Sequence, residues 1–162
     1  MARSGNITDT DGKIIGQHEG IEFYTIGQRK GMGISFTAPL YVTKIDTQKN
    51  EITAGTRQYL KSRKLFCGHI NLLVDRLPSR AKAKIRYNHK EAFCSINLIK
   101  SKNKKSRSIN NRGNNNIFEN RLEVIFDQPQ EAITPGQSVV FYENDTVLGG
   151  GIIESPDVLC QQ

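Results

Sequence analysis

Tryptophan is absent from this chain of 162 residues, aromatic residues make up only 7% of it, and hydrophobic residues 36%. Such a composition limits each hydrophobic core to a modest size, whether the chain forms one compact domain or two small ones. No apolar run approaches the length of a membrane span. The longest, such as Val139-Val140-Phe141-Tyr142, have the length of a strand. The opening residues Met1-Ala2-Arg3-Ser4-Gly5 hold no apolar segment of the kind a signal peptide requires. The expectation is a soluble, cytoplasmic protein with no membrane association.

Cysteine is scarce too. Cys67, Cys94 and Cys160 are odd in number and far apart, with no CxxC pair and no Cys/His cluster at zinc spacing. The expectation is three reduced, structural thiols and no metal site. None stands beside the basic groups or helix N-terminus that would activate a thiolate. The three histidines, His18, His69 and His89, have no nearby carboxylate or cysteine that would suggest catalysis. His18 and Glu19 precede Gly20, where a histidine more readily fixes a turn.

Acidic residues are nearly missing from the middle of the chain. Between Arg57 and Arg112, 16 of the 23 Lys and Arg residues face only Asp75 and Glu91, which leaves 7 bases and 14 acids elsewhere. The net charge of +7 therefore hides a strong polarisation. A field of this kind attracts a polyanion at long range and weakens with salt, so the charge points to nucleic acid.

Short strands and turns dominate what is present. Residues 5–39 are rich in glycine, and Thr10-Asp11-Gly12-Lys13 is turn chemistry that lets the flanks around Ile7 and Ile14-Ile15 pair. Gly20 to Ile26 is compatible with a helical turn or a strand. Leu40–Asp46 and Glu51–Gly55 read as a hairpin about Thr47-Gln48-Lys49-Asn50. The polar stretch Arg57–Lys64 reads as a connection, and a boundary there divides a small glycine-rich β-containing domain, 1–60, from a second domain, 61–160.

Six strand candidates follow: Gly68–Val74, Ala81–Tyr87, Ala92–Lys100, Arg121–Phe126, Ser138–Tyr142 and Val147–Ile153. With no convincing long helix, they predict a mainly β chain whose second domain is a roughly six-stranded antiparallel β-barrel. Alternation in Ala81-Lys82-Ala83-Lys84-Ile85-Arg86-Tyr87 turns Lys82, Lys84 and Arg86 to one face. Asn88-His89-Lys90 closes a hairpin onto the next strand. The insertion at about 101–116 carries Lys102, Lys104, Lys105, Arg107 and Arg112 among serines and asparagines. With almost no apolar content to offset ordering entropy, it is expected to be a disordered hairpin tip.

Two glycine-rich runs invite a nucleotide reading. Gly27-Gln28-Arg29-Lys30-Gly31-Met32-Gly33 lacks the Gly-Lys-Ser/Thr ending and helix of a Walker loop, and Gly149-Gly150-Gly151 lies between strand segments. A loop whose Arg29 and Lys30 reach phosphate fits the first run better. Residues and spacing alone describe a basic, barrel-containing binding protein and identify no enzyme.

Two sets of segments carry a resemblance. Gly16-Gln17-His18-Glu19-Gly20 with Tyr24-Thr25-Ile26-Gly27-Gln28-Arg29-Lys30-Gly31-Met32-Gly33-Ile34 resembles the central-domain signature of tRNA-specific 2-thiouridylases. Val124-Ile125-Phe126-Asp127, Ala132-Ile133-Thr134-Pro135-Gly136-Gln137-Ser138 and Leu148-Gly149-Gly150-Gly151-Ile152-Ile153 resemble that family's C-terminal barrel. The resemblance implies an ATP-dependent enzyme that replaces the 2-oxygen of the wobble uridine with sulfur. It further implies adenylation at an N-terminal loop, and a cysteine persulfide supplied by a sulfur-donor protein. This chain has no Ser-Gly-Gly-x-Asp-Ser loop, and the family's two catalytic cysteines lie upstream of the part that residues 5–34 resemble. What the resemblance carries over is tRNA contact, at Arg86, Tyr87 and Gln137, with Lys82 and Lys84 beside them. The chain is thus expected to be the tRNA-gripping portion of such an enzyme, with no catalytic residue, no metal and no cofactor of its own. The alternative is a free-standing β-barrel adaptor that binds RNA or protein.

Overall fold

The computed structural model describes residues 2–99 and 121–155. The expected insertion at 101–116, Cys160 and the end of the second domain lie outside them. The chain divides into two compact units, Met1–Ser62 with Gln130–Thr134, and Arg63–Pro129 with Pro135–Gln162.

The first unit is built on two hairpins. Strands β1 (Gly5–Thr8) and β2 (Ile14–His18) pair across the Asp-Gly turn, where the Asp9 carboxylate accepts from the backbone N–H groups of Asp11 and Lys13. Strands β3 (Tyr41–Asp46) and β4 (Glu51–Gly55) form the second hairpin. Its turn is closed by the Asp46 carboxylate, which accepts from Gln48 and Lys49 N–H. The hairpins join through a parallel pairing of β1 with β4, giving the sheet order β2-β1-β4-β3. That long-range pairing has no local sequence signal. Ile7, Val42, Ile52 and Ala54 are fully buried, and Met32 and Leu40 from the intervening loop complete their cluster. The ambiguous segment after Gly20 holds a 3-10 turn, Ile21–Phe23.

The second unit is a closed barrel. Strands β5 (Lys61–Leu72), β6 (Arg80–Lys84), β7 (Ala92–Ile99), β8 (Arg121–Glu131), β9 (Ser138–Glu143) and β10 (Thr146–Glu154) follow the order β10-β5-β8-β7-β6-β9, with β9 back on β10. The predicted six-stranded barrel is present, with departures in the bounds of its strands, among them that β8 runs on past Phe126 to Glu131. Arg57–Lys64 is not wholly a connection: a 3-10 turn covers Arg57–Leu60, and β5 starts at Lys61. Strand β6 stops at Lys84, so Arg86 and Tyr87 lie beyond it in a turn.

Alternation fills the interior. Ala81, Ala83 and Ile85 point inward from β6 and its end, Cys94 and Ile96 from β7, Leu122, Val124 and Phe126 from β8, and Val139 and Phe141 from β9. The triple glycine lies inside β10, where both neighbouring backbones come close. A Cβ on Gly150 would stand 2.5 Å from Val139 O, and one on Gly151 would stand 2.8 Å from Gly68 O. Close strand approach, rather than phosphate binding, explains this run.

Candidate nucleic-acid interface

The alternation that buries Ala81 and Ala83 leaves Lys82 and Lys84 on the outer face of β6, partly exposed. After Ile85 the backbone leaves the ladder. His89 N–H donates to Arg86 O at 3.0 Å, closing a turn that lifts Arg86, Tyr87 and Asn88 into solvent. Tyr87 is 89% exposed, and Lys84 Nζ lies 5.7 Å from its ring centroid. An aromatic ring so exposed contributes little to the core and is free to meet a ligand.

Gln137 stands on the neighbouring connection. Thr134-Pro135-Gly136-Gln137 forms a turn in which Gly136 takes φ 85°, a left-handed conformation that favours glycine. Gly136 N–H donates to Ile153 O, and Ile153 N–H donates to Gln137 O, both at 2.8 Å, so the turn is anchored to β10 while Gln137 remains exposed. The β6–β9 register runs from Lys82↔Tyr142 to Lys84↔Val140. The end of β6 from which Arg86 and Tyr87 follow thus lies beside the start of β9, which Gln137 precedes. The two turns therefore come to the same end of the barrel. The last β7–β8 pair, Ile99↔Arg121, lies toward the opposite end.

Several basic groups are already matched. Lys64 Nζ lies 2.6 Å from Glu123 Oε1, Arg80 Nη2 2.5 Å from Asp127 Oδ2, Lys82 Nζ 3.6 Å from Glu91 Oε2, and Arg121 Nε 2.9 Å from Glu154 Oε2. The Lys64 ammonium and then the Asn97 amide hold the Glu123 carboxyl below its ordinary value. Lys84 and Arg86 have no ion pair among the described residues, so their charge is available to an incoming anion.

Arg29 and Lys30 belong to the first unit and are both exposed. Their loop is braced from within: Gln28 Oε1 accepts from Thr25 N–H, Gln28 Nε2 donates to Lys30 O, and Tyr24 Oη donates to Gly31 O. No helix follows it, so neither glycine-rich run offers the cradle that ATP phosphates require.

Catalytic alternatives find little among the described residues. Burial, with Glu154 next in effect, pushes the Cys67 thiol up to about 12; burial, with Asp127 next, pushes Cys94 up to about 11. Such thiols carry almost no thiolate at neutral pH. His18 is 1% exposed, with Nε2 3.2 Å from Asn50 O and its ring edge-on to Tyr24 at 5.9 Å, which is the setting of a core histidine. No group of three metal-ligating side chains occurs among the described residues, and no helix there is long and apolar enough to cross a membrane.

One residue escaped the sequence reading. Phe93 on β7 is 55% exposed between inward-facing neighbours, with Lys82 and Arg80 over its ring. Its signal was available: in Phe93-Cys94-Ser95-Ile96-Asn97 it is the one aromatic on the polar side of the alternation.

Residues 1–56 match the family model described as tRNA methyl transferase PRC-barrel domain, and residues 105–153 match the one described as Aminomethyltransferase beta-barrel domain. A tRNA-specific 2-thiouridylase of Chlorobium phaeobacteroides is 44% identical over 92% of this chain and 37% of its own length. Similar proteins of the same description from Halothermothrix orenii and Acetivibrio thermocellus are 39% identical over 95% of this chain and 41% identical over 94%. The chain spans 39% and 38% of those two relatives.

Proposed function

This chain belongs to the tRNA-specific 2-thiouridylase family, corresponding to its central and C-terminal domains, and on that premise we propose that it is the part that grips tRNA while the wobble uridine is thiolated. The observation that carries the reading is the convergence of two exposed turns, bearing Arg86, Tyr87 and Gln137, at one end of a barrel whose adjoining strand presents Lys82 and Lys84. Arginine forms paired, charge-assisted bonds to phosphate, tyrosine stacks on a base or ribose, and a glutamine amide both donates and accepts. Arg29 and Lys30 add phosphate contacts from the first unit. In this reading the ATP chemistry and the persulfide received from a sulfur-donor protein belong to the remaining length of the relatives. The buried thiols here take no part.

The test is tRNA binding by the chain and by its Arg86→Ala/Gln137→Ala double variant, with thermal melts to verify folding. Weaker binding by a folded double variant is expected; unchanged binding would remove the two turns from the interface. This chain alone is also expected to form no 2-thiouridine from tRNA, ATP and a sulfur donor. Measured ATP-dependent product would overturn the division of labour.

A further inference from the structure

The outer side of β6 and β7 carries an aromatic ring that the tRNA reading leaves unused. Phe93 pairs with Lys82 in the β6–β7 ladder, and Tyr142 pairs with Lys82 from β9. Residues directly opposite in a ladder share a face, so Phe93, Lys82 and Tyr142 form one outward row across three strands. Lys82 Nζ stands 5.6 Å from the Phe93 ring centroid, and Arg80 Cζ stands 5.9 Å from it. Both cations are tethered at the rim by carboxylates, Lys82 by Glu91 and Arg80 by Asp127. Packing does not explain the ring. It is 55% exposed, and the core beneath is filled by Cys94 and Ile96 from the same strand.

We propose that Phe93 is a stacking platform for one unpaired nucleobase of the bound RNA, with Arg80 and Lys82 taking the phosphates on either side. The proposal rests on the tRNA-gripping reading and deepens it, because it specifies a single-stranded segment as what this face holds. Every base offers a π-face, so an exposed ring flanked by cations suits an unpaired strand, whereas duplex RNA keeps its bases stacked inside. With side chains 59% and 36% exposed, Arg80 and Lys82 are within reach of an incoming strand, and taking its phosphates means exchanging their surface ion pairs with Asp127 and Glu91 for it. A polyanion also matches the run of bases at Arg80, Lys82, Lys84 and Arg86 better than an apolar protein partner would.

The absence of tryptophan makes the test direct. Phe93→Trp introduces a single tryptophan, excited selectively over the tyrosines, whose emission is followed while poly(U), a blunt RNA duplex or tRNA is added. Phe93→Ala and Phe93→Leu are compared with the parent chain for poly(U) and tRNA affinity, with melts as controls. Poly(U) is expected to quench the emission and the duplex to leave it nearly unchanged. Both Phe93→Ala and Phe93→Leu should weaken poly(U) binding by roughly ten-fold. Equal quenching by the duplex, or full affinity in Phe93→Leu, would show that proximity or bulk rather than stacking matters, and would overturn the proposal. So would unquenched or undiminished poly(U) binding in a chain that still binds tRNA, which leaves the tRNA-gripping reading standing. Failure of the parent chain to bind any RNA would remove both.

Discussion

Arg86 and Gln137 act from exposed turns, and this sets the size of their expected effects. A charge-assisted bond from an exposed guanidinium to phosphate is weaker than one in a buried site, so Arg86→Ala should weaken tRNA binding by about 1 kcal/mol. A filter-binding isotherm at moderate salt would measure it. The buried thiols give an independent residue-scale prediction. With pKa values near 12 and 11 against an ordinary 9.0, Cys67 and Cys94 should alkylate far more slowly than free cysteine at pH 8, as peptide-resolved mass spectrometry would read. Linkage fixes the sign of their effect on stability. The unfolded chain loses these protons near pH 9 while the folded chain keeps them, so stability falls as pH rises from about 9 toward 12. Melting curves of Cys67→Ala over that range should show a shallower alkaline loss than the parent chain.

At the scale of single elements, β10 is constrained by the close neighbours that its glycines allow. Gly150→Ala would drive a methyl group against the Val139 carbonyl, backbone that cannot swing aside. A loss of about 1–3 kcal/mol is expected from such overpacking, read as a lower urea midpoint. Elements of this kind were only partly legible in the sequence. The hairpins β1–β2 and β3–β4 announced themselves through Asp-Gly and Asp-Thr-Gln-Lys-Asn turn chemistry, and the barrel strands through alternating apolar residues. The first residues of β5, Lys61-Ser62-Arg63-Lys64, were read as a connection because they are polar and basic, although β5 extends over them. The C-terminal half of β8 was missed because Asp127-Gln128-Pro129-Gln130 is polar and contains a proline. Strand β6 was drawn too long because its alternation continues through Ile85 and Arg86 after the backbone has left the ladder. The same error put Arg86 on the face of Lys82 and Lys84, when it stands on a turn. Phe93 went unremarked, although position parity within Ala92–Ile99 puts it outside.

For the molecule as a whole, charge is the property that couples sequence to function most directly. The bases between Arg57 and Arg112 create a field that any polyanion feels, and each phosphate they neutralise steepens the salt dependence of binding. Lys102, Lys104 and Lys105 belong to the basic insertion that the sequence marks at about 101–116. Replacing all three with glutamine should flatten the salt dependence of tRNA binding and change tRNA preference little, which affinities at several salt concentrations would show. The turns, by contrast, should carry preference. The most direct measurement is therefore the affinity of this chain for tRNA and for duplex DNA across one salt series, with Arg86→Ala/Gln137→Ala alongside. The account predicts tighter binding to tRNA at every salt concentration, with the preference lost in the double variant. Equal, steeply salt-dependent binding to both polyanions, untouched by the double variant, would contradict it.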